Sequence, residues 1–486
     1  MLSEKRKPDP EADIRRGRLV RTAATDAPPR EPTQEPQPEF GTRYGRPASA
    51  AAADAPPRTW EREPGRKPES EPRAPRGLLL HHTPVWVPAA TRPQQPSARA
   101  AARSLLIVDS RDTGRAWAPL GVRTVRVGRD ISGSAPSWTA YLKGLCEAGH
   151  EPRVLVFDLP AATTTPERAA ELVLPVLRAL CGGSVRRDPL RLAFLVTGRA
   201  RPELAAAFGA VAQVAGVEDG RLDAVSLGVQ TLPSWAGDPF RLALAELALP
   251  RPGLGEVRYA DTGREVRVLR AAPGPRPGAP AAALRTGGRY LVTDAGEGTG
   301  TRLALSLARR HRAHIVLLAP SHRPLPADAR LVQARGRLAR HDDVRAAVRT
   351  ALHHFGGLDG VLHCADPGAA RPLSRLSAAG ARQALADTVT GAGHLDRATA
   401  ELPLDFFASV TSAAAYRAGI GAAIPAAVGR ALGALAADRA RLAGEGLRRG
   451  VTVAASWPAG TDRLTALAQA LACGRSELTV NAAPAR

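Results

Sequence analysis

A strand, a glycine-bearing turn, a helix and a second strand follow one another between Arg289 and Pro320. The two strands read YLVT and HIVLLA, and the turn reads TDAGEGTG. A turn of this kind presents backbone N–H groups at a helix N-terminus, where the pyrophosphate of a dinucleotide binds. Here the turn also holds Asp294 and Glu297, whose carboxylates oppose an approaching anion. The stretch therefore predicts a βαβ unit and argues against an ordinary phosphate site.

Short apolar runs alternate with helical segments in two successive series. This alternation is typical of a parallel sheet with helices on its faces. The first series has no glycine fingerprint and ends in a hairpin, Gly255–Leu269, around an Asp-Thr-Gly turn. We therefore predict an α/β fold of two tandem doubly wound Rossmann-like subdomains. Predicted strands cover 85–87, 104–110, 152–160, 190–198, 290–293, 314–319, 360–365, 405–412, 451–458 and 477–480, and predicted helices cover 166–180, 202–215, 301–312, 343–355, 378–400, 425–445 and 464–473.

Three regions of the chain differ in composition. Residues 1–76 are rich in Pro, Arg, Glu and Ala with little aliphatic periodicity, so we expect a disordered tail. Residues 77–282 hold the first series and a Pro/Gly/Ala linker at 271–282. Residues 283–486 hold the second series. These bounds are the predicted domains.

Cysteine usage and hydropathy indicate the compartment. The four cysteines lie far apart and form no CxxC pair, which fits a reducing cytoplasm better than a disulfide scaffold or a zinc ribbon. The sequence has no apolar stretch of membrane-spanning length and no apolar signal core. We expect a cytoplasmic protein without a membrane partner.

The net charge of +21 comes from arginine, since the chain has very few lysines, which indicates codon bias. Nucleic-acid binding is not expected, because zinc-finger spacing and aromatic stacking motifs are missing from the sequence. The basic run Arg323–Arg349 is either a solvated face or a docking surface for an acidic partner. The pairs His81–His82 and His353–His354 lack suitable partners in sequence, so no metal site is predicted.

The order of TDAGEGTG, HIVLLA, GGLDGVLHCAD, PLDFFASVTSAAA and VTVAASWP resembles the ketoreductase of modular polyketide synthases, a short-chain dehydrogenase/reductase. The PVWVP strand and the hairpin EVRYADTGREVRVL are also similar to that family, and the resemblance covers residues 82–482. It implies a truncated, cofactor-free structural subdomain followed by a full reductase-like one. It also implies that NADPH gives hydride to a β-ketoacyl group on an acyl carrier protein. A Tyr donates the proton, a Ser orients the carbonyl, and a Lys and an Asn complete the relay.

The resemblance implies four catalytic positions, and this sequence has the family's residue at one of them. Ser412 matches the serine, whereas Pro425 stands at the tyrosine position, Gly429 at the asparagine position and Thr388 at the lysine position. The lysines of this sequence end at Lys143, so a shift of register supplies none. Without its partners, Ser412 is also readable as a hydroxyl that caps local backbone.

The last tyrosine of the sequence, Tyr416, is a candidate substitute for the missing acid. It lies four residues beyond Ser412, where the family has a loop residue.

The cofactor motif is degraded in the same comparison. Thr293, Gly298 and Gly300 match the family's turn, but Asp294 replaces its first glycine. The two glycines are readable as turn and packing residues. Three further positions depart from the family pattern: Pro320 for the arginine that reads the 2′-phosphate, Arg337 for the acid near the adenine, and Asp366 for the glycine after the third strand. Binding of NADP(H), if it occurs, is expected to be weak.

These observations leave several functions open. The leading hypothesis is a ketoreductase-like polyketide synthase protein that is reductase-deficient and acts as a structural or docking component, with acyl carrier protein or other synthase proteins as partners. One alternative is an active NADPH-dependent β-ketoacyl-carrier-protein reductase with a divergent site that uses Ser412 and Tyr416. The others are a binding module for an acidic partner and a decaying gene product.

Overall fold

Fifteen strands form one continuous sheet in the described part of the chain, in the order β11-β10-β9-β12-β13-β14-β15-β1-β8-β7-β6-β5-β4-β2-β3. The strands are β1 Leu79–Pro88, β2 Ser104–Asp109, β3 Arg123–Val127, β4 Val154–Pro160, β5 Leu190–Thr197, β6 Leu222–Val229, β7 Glu256–Ala260, β8 Gly263–Ala272, β9 Arg289–Asp294, β10 His314–Ala319, β11 Leu331–Arg335, β12 Gly360–Cys364, β13 Phe406–Ser412, β14 Val451–Trp457 and β15 Glu477–Ala482.

The helices cover both faces of this sheet. They are α1 Ala135–Glu147, α2 Pro166–Cys181, α3 Pro202–Glu218, α4 Pro239–Glu246, α5 Thr299–His311, α6 His341–Phe355, α7 Ala378–Leu385, α8 Gly391–Ala398, α9 Ala423–Gly444 and α10 Arg463–Ala472, with a π-helical turn at Ala386–Thr390 and short 3₁₀ turns at Leu373–Arg375 and Ala413–Ala415.

This computed structural model describes residues 79–91, 93–94, 103–109, 122–183, 188–250, 253–274, 284–295, 298–322, 325–326, 328–365, 367–368, 370–457 and 461–482. The predicted tail, 1–76, lies outside the described residues, as does most of the predicted linker. Glu297 and Asp366 also lie outside them.

Each half of the sheet is doubly wound. In the second half, the strands beginning with β9 follow the order 3-2-1-4-5-6, which is that of a Rossmann fold, with parallel pairing throughout β9 to β14. The first half has a parallel series from β2 to β7 and closes with the antiparallel β7–β8 hairpin. The predicted α/β class with two Rossmann-like subdomains is confirmed. The exact bounds 77–282 and 283–486 stay a prediction.

Strand β1 joins the two halves. It pairs antiparallel with β8 from His81 to Pro88 and with β15 from Leu79 to His82. Pairing with β15 stops before Pro84, which has no N–H to donate. Beyond that point the side chain of Thr83 donates to the carbonyl of Glu477 at 2.8 Å.

Helix α9 of the second half packs along α3 of the first. Two glycines allow this close approach over buried carboxylates. A Cβ at Gly209 on α3 would overlap the side chain of Glu256, and one at Gly433 on α9 would overlap that of Glu477. Two acidic side chains are therefore enclosed between the helix pair and the sheet.

Two features of the fold differ from the sequence-based expectation. The helix predicted at 378–400 is interrupted by the π-helical turn, where the hydroxyl of Thr388 donates to the carbonyl of Ala384 at 2.6 Å. Five elements had no prediction: β3, α1, β6, α4 and β11. Strand β6 reads LDAVSLGV, and its Asp, Ser and Gly lower the apolar signal although six of its residues in a row are buried.

Candidate functional site

The turn after β9 is the first part of the candidate site. Thr293 and Asp294, at the end of the strand, are both buried. The Thr293 hydroxyl lies 3.0 Å from Nδ1 of His363 and accepts from the backbone N–H of Cys364 at 3.1 Å. Thr293 therefore ties β9 to β12.

The carboxylate of Asp294 binds the N-terminal turn of α5. Its Oδ1 accepts from the N–H of Gly298 at 3.0 Å, and its Oδ2 accepts from the N–H of Thr301 at 2.9 Å and from the Thr301 hydroxyl. These backbone donors stand at the positive end of the helix dipole, where an external anion would bind in a nucleotide fold. The chain places its own anion there.

Both retained glycines of the turn have local structural roles. Gly298 is the N-cap of α5 with φ 78°, a left-handed conformation that favours glycine. A Cβ at Gly300 would overlap the carbonyl of Thr293, so α5 begins directly against β9. Cofactor binding by Thr293, Gly298 and Gly300 stays a prediction.

Ser412 lies exposed at the end of β13. Its Oγ accepts from the N–H of Ala414 at 3.2 Å and caps the 3₁₀ turn that follows. This is the local capping that the sequence allowed as the second reading of Ser412.

The positions of the missing tyrosine and asparagine lie on the first two turns of α9. Pro425 is the third residue of the helix, and Gly429 follows one turn later. A Cβ at Gly429 would lie 2.6 Å from Cβ of Ala415, closer than carbon atoms pack. An asparagine side chain at this position would displace the 3₁₀ turn.

Thr388, at the position of the missing lysine, is buried and bonded within its own helix. Its carbonyl lies 2.9 Å from Nε2 of His363. Burial lowers the pKa of His363 to about 4, so the ring is neutral near pH 7. Neither Thr388 nor His363 therefore supplies the positive charge of the missing lysine.

Tyr416 points into the interior. Its hydroxyl donates to the carboxylate of Glu477, and the guanidinium carbon of Arg430 lies 5.7 Å from the centre of its ring. Ser412 and Tyr416 flank the same 3₁₀ turn, and their hydroxyl groups bind different partners, the N–H of Ala414 and the carboxylate of Glu477. Burial raises the pKa of Glu477 to about 7, an effect that neighbouring Arg267 opposes.

Glu477 belongs to a buried ionic chain that the sequence did not predict. Arg430 donates to Glu256 at 2.9 Å, Arg267 donates to the other oxygen of Glu256 at 2.9 Å, and Arg267 also donates to Glu477. All four residues are at most 5% exposed. The sequence feature that could have indicated this buried ionic chain is the presence of Glu256 and Arg267 beside valines in the alternating hairpin.

A family model described as the KR domain matches residues 288–457 of the chain. The matched residues run from β9 to β14 and include Asp294, Thr388, Ser412, Pro425 and Gly429.

The similarity of the chain to known proteins extends beyond residues 288–457. Polyketide synthase ThaG of Burkholderia thailandensis is 33% identical over 252 residues, which cover 48% of this chain and 4% of that protein. The chain thus spans a very small part of this relative. An N-terminal ketoreductase from a macrolactin assembly line has a TM-score of 0.64 at 16% identity, over 83% of this chain and 92% of that one. An A1-type ketoreductase has a TM-score of 0.64 at 22% identity, over 82% and 92%.

These likenesses show that the described chain has the fold of polyketide synthase ketoreductases. Because the matched structures cover more than the KR domain, the fold similarity includes the first half of the sheet. Within the described ranges, no three His, Cys, Asp or Glu side chains lie together as a metal site would require. Among the helices of those ranges, none is both long and apolar enough to cross a membrane.

Proposed function

We propose that this chain is a ketoreductase-fold protein of polyketide biosynthesis that does not reduce ketones and serves as a structural or docking component. Its partners are other synthase proteins, among them acyl carrier protein. The observation that carries the proposal is the contact of the Asp294 carboxylate with the N–H groups of Gly298 and Thr301.

The residues of this turn do not fit the pyrophosphate of NADP(H). A phosphate 4 Å from the Asp294 carboxylate would be repelled by about 1 kcal/mol in water and by about 4 kcal/mol at an effective dielectric constant of 20. The helix dipole contributes about 0.3–1 kcal/mol in favour of an anion. The Asp294 carboxylate already occupies the N-terminus of the helix. A bound dinucleotide would therefore have to displace this carboxylate.

The proton relay lacks its acid as well. Reduction of a carbonyl to an alcohol requires a proton donor within hydrogen-bond reach of the oxygen. Pro425 has no proton to give, and the side chain of Thr388 carries no charge that could lower the pKa of a neighbouring acid. Ser412 could orient a carbonyl, but it could not replace both groups.

Binding and turnover of NADPH test this proposal. The full chain is titrated calorimetrically with NADPH to millimolar concentration, and NADPH absorbance is followed with a β-ketoacyl thioester. We expect neither heat nor consumption. Asp294→Gly restores the family's glycine and should bind NADPH more tightly than the native chain does. Asp261→Gly, in the hairpin turn of the first half, is the matched control and should not.

Turnover by the native chain that is lost in Ser412→Ala would overturn the proposal in favour of a divergent active reductase. A role for Tyr416 in that activity would require its hydroxyl to leave Glu477. Turnover lost in Tyr416→Phe as well would establish that role.

A further inference from the structure

A cavity of about 620 Å³ lies between the sheet of the first half and the helix pair α3 and α9. Its floor is formed by the carboxyl-terminal parts of β5 and β6 together with β7, and Trp86 of β1 closes one side. Ligand sites in proteins typically have volumes of about 300–1,000 Å³. In doubly wound sheets ligands bind at the carboxyl ends of the strands, where this cavity lies.

The cavity is separate from the candidate reductase site. None of its lining residues is Asp294, Ser412, Thr388, Pro425 or Gly429. Its residues come from the first half of the sheet and from the middle of α9. A ligand bound here would therefore contact both halves of the fold.

Arginines outnumber carboxylates among the residues that line the cavity, and each of these arginines also pairs with a carboxylate. Five guanidinium groups and two carboxylates line it. Both carboxylates are already paired: Glu256 with Arg267 and Arg430, and Asp438 with Arg441. The arginines are Arg199, Arg201, Arg258, Arg267 and Arg441.

Arg267 provides a donor that has no acceptor. Its two Nη atoms bind Glu256 and Glu477, but its Nε finds no hydrogen-bond partner among the residues that the structure describes. The residue is 5% exposed and lines the cavity. A buried guanidinium N–H without an acceptor is unfavourable, and an anionic oxygen in the cavity would satisfy it.

The remaining wall is apolar. Small and aliphatic residues of β5, α3 and α9 contribute most of it, with Val196, Ala205 and Ala434 as examples. The guanidinium of Arg258 lies 4.3 Å from the centre of the Trp86 ring and holds the indole in place. Such a wall accommodates a hydrocarbon body.

We propose that this cavity binds a small organic anion, a carboxylate or a phosphate monoester attached to an apolar body, with its acidic oxygen at Nε of Arg267. The apolar body lies along α3 and α9. Arg201, whose ion pair with Glu203 is a long 3.7 Å, adds positive charge to the lining.

Calorimetric titration of the full chain with hexanoate, hexyl phosphate and hexanamide tests the proposal. The first two compounds distinguish a carboxylate from a phosphate, and the third removes the charge. We expect at least one anion to bind about tenfold more tightly than hexanamide, which corresponds to about 1.4 kcal/mol. Absence of binding by both anions at millimolar concentration, or equal binding of hexanamide, would overturn the proposal.

Two variants locate the binding. Ala434→Phe fills the cavity and should weaken anion binding at least tenfold, whereas Ala346→Phe, at an exposed position of α6, is its matched control and should not. Arg201→Gln leaves the packing intact and should weaken binding of the anion without changing the affinity for hexanamide. Arg345→Gln is its control. Unchanged affinity in a natively folded Ala434→Phe or in Arg201→Gln would place the anion elsewhere.

Discussion

Arg430 on α9 and Glu256 on β7 form a salt bridge of 2.9 Å that is enclosed between the two halves of the fold. Each residue is 1% exposed, and 174 positions separate them in the sequence. The guanidinium also donates to the carbonyls of Ala415 and Leu254, at 2.8 and 2.6 Å. This one side chain therefore links the turn after Ser412 to the first half.

Replacing Arg430 by Ala should destabilise the protein strongly, because Glu256 would lose one of its two buried partners. We expect a loss of about 3–5 kcal/mol in the free energy of unfolding, measured by urea denaturation. Arg441→Ala removes an exposed arginine whose two carboxylate partners lie on α9 and at its C-cap, and should cost less than about 1 kcal/mol. Equal losses in the two variants would contradict a special role for the buried bridge.

Asp294→Ala should destabilise the protein by about 0.5–2 kcal/mol, because the first turn of α5 would lose the acceptor of two backbone N–H groups. Thermal unfolding measures the change. Asp342→Ala, at an exposed position in the first turn of α6, is the control and should change stability less. A loss no larger than that of the control would mean that Asp294 does not cap α5.

The buried His363 should make stability depend on pH. Its pKa is about 4 in the folded protein against an ordinary 6.5, so the unfolded chain binds more protons between these values. The contribution of His363 to the free energy of unfolding is fully present above pH 6.5 and is lost as pH falls toward 4. Glu477, with its pKa raised from 4.5 to about 7, has the opposite slope over part of this range.

The contribution of His363 is therefore measured as a difference. Urea denaturation of the native chain and of His363→Asn is compared at several pH values between 4 and 7. The gap between their unfolding free energies should widen as pH rises. A gap that stays constant would show that His363 does not titrate differently in the two states.

Gly429→Ala should destabilise the protein by about 1–3 kcal/mol, since the added methyl group would overlap Ala415. Gly393→Ala in α8 is the matched control. There a Cβ would meet only the end of the Arg397 side chain at 3.6 Å, and alanine should stabilise the helix by about 0.5–1 kcal/mol. Opposite signs for the two substitutions are the expected result of chemical denaturation.

Association with an acyl carrier protein, if it uses the basic run, should depend on α6. Arg345 and Arg349 are exposed one helical turn apart there. Arg345→Glu with Arg349→Glu should weaken binding, and added salt should weaken it in the native chain because exposed charges are screened within about 10 Å at 0.1 M. Arg178→Glu on α2 is the control. Binding that is insensitive to both changes would exclude this surface.

The local sequence pattern predicted those strands and helices whose buried residues are uniformly apolar. Strand β10 was predicted at its observed bounds, His314–Ala319, because every residue after His314 is apolar and buried. The ends of α5 and α9 differ from prediction by one or two residues. Strand β6 was missed since its small and polar residues are buried by the sheet around them, which no local window contains.

The sequence predicted which chemical groups the candidate site lacks. It did not predict the contacts between site residues that lie far apart in the chain. Pro425 and Thr388 lack the required chemistry in any fold. The placement of the Tyr416 hydroxyl against Glu477 joins residues 61 positions apart, and Arg267 meets Glu477 across 210 positions. Such contacts follow from the closing of the sheet, so no sequence spacing indicates them.

The position of β1 between β8 and β15 has a consequence for biosynthesis. Thr83 and its partner Glu477 are 394 residues apart, so the β15 side of β1 cannot pair until those residues have been translated. At about 5–20 residues per second this delay is about 20–80 s. During that interval this edge of β1 lacks its native partner, and an unpaired strand edge is a template for wrong pairing.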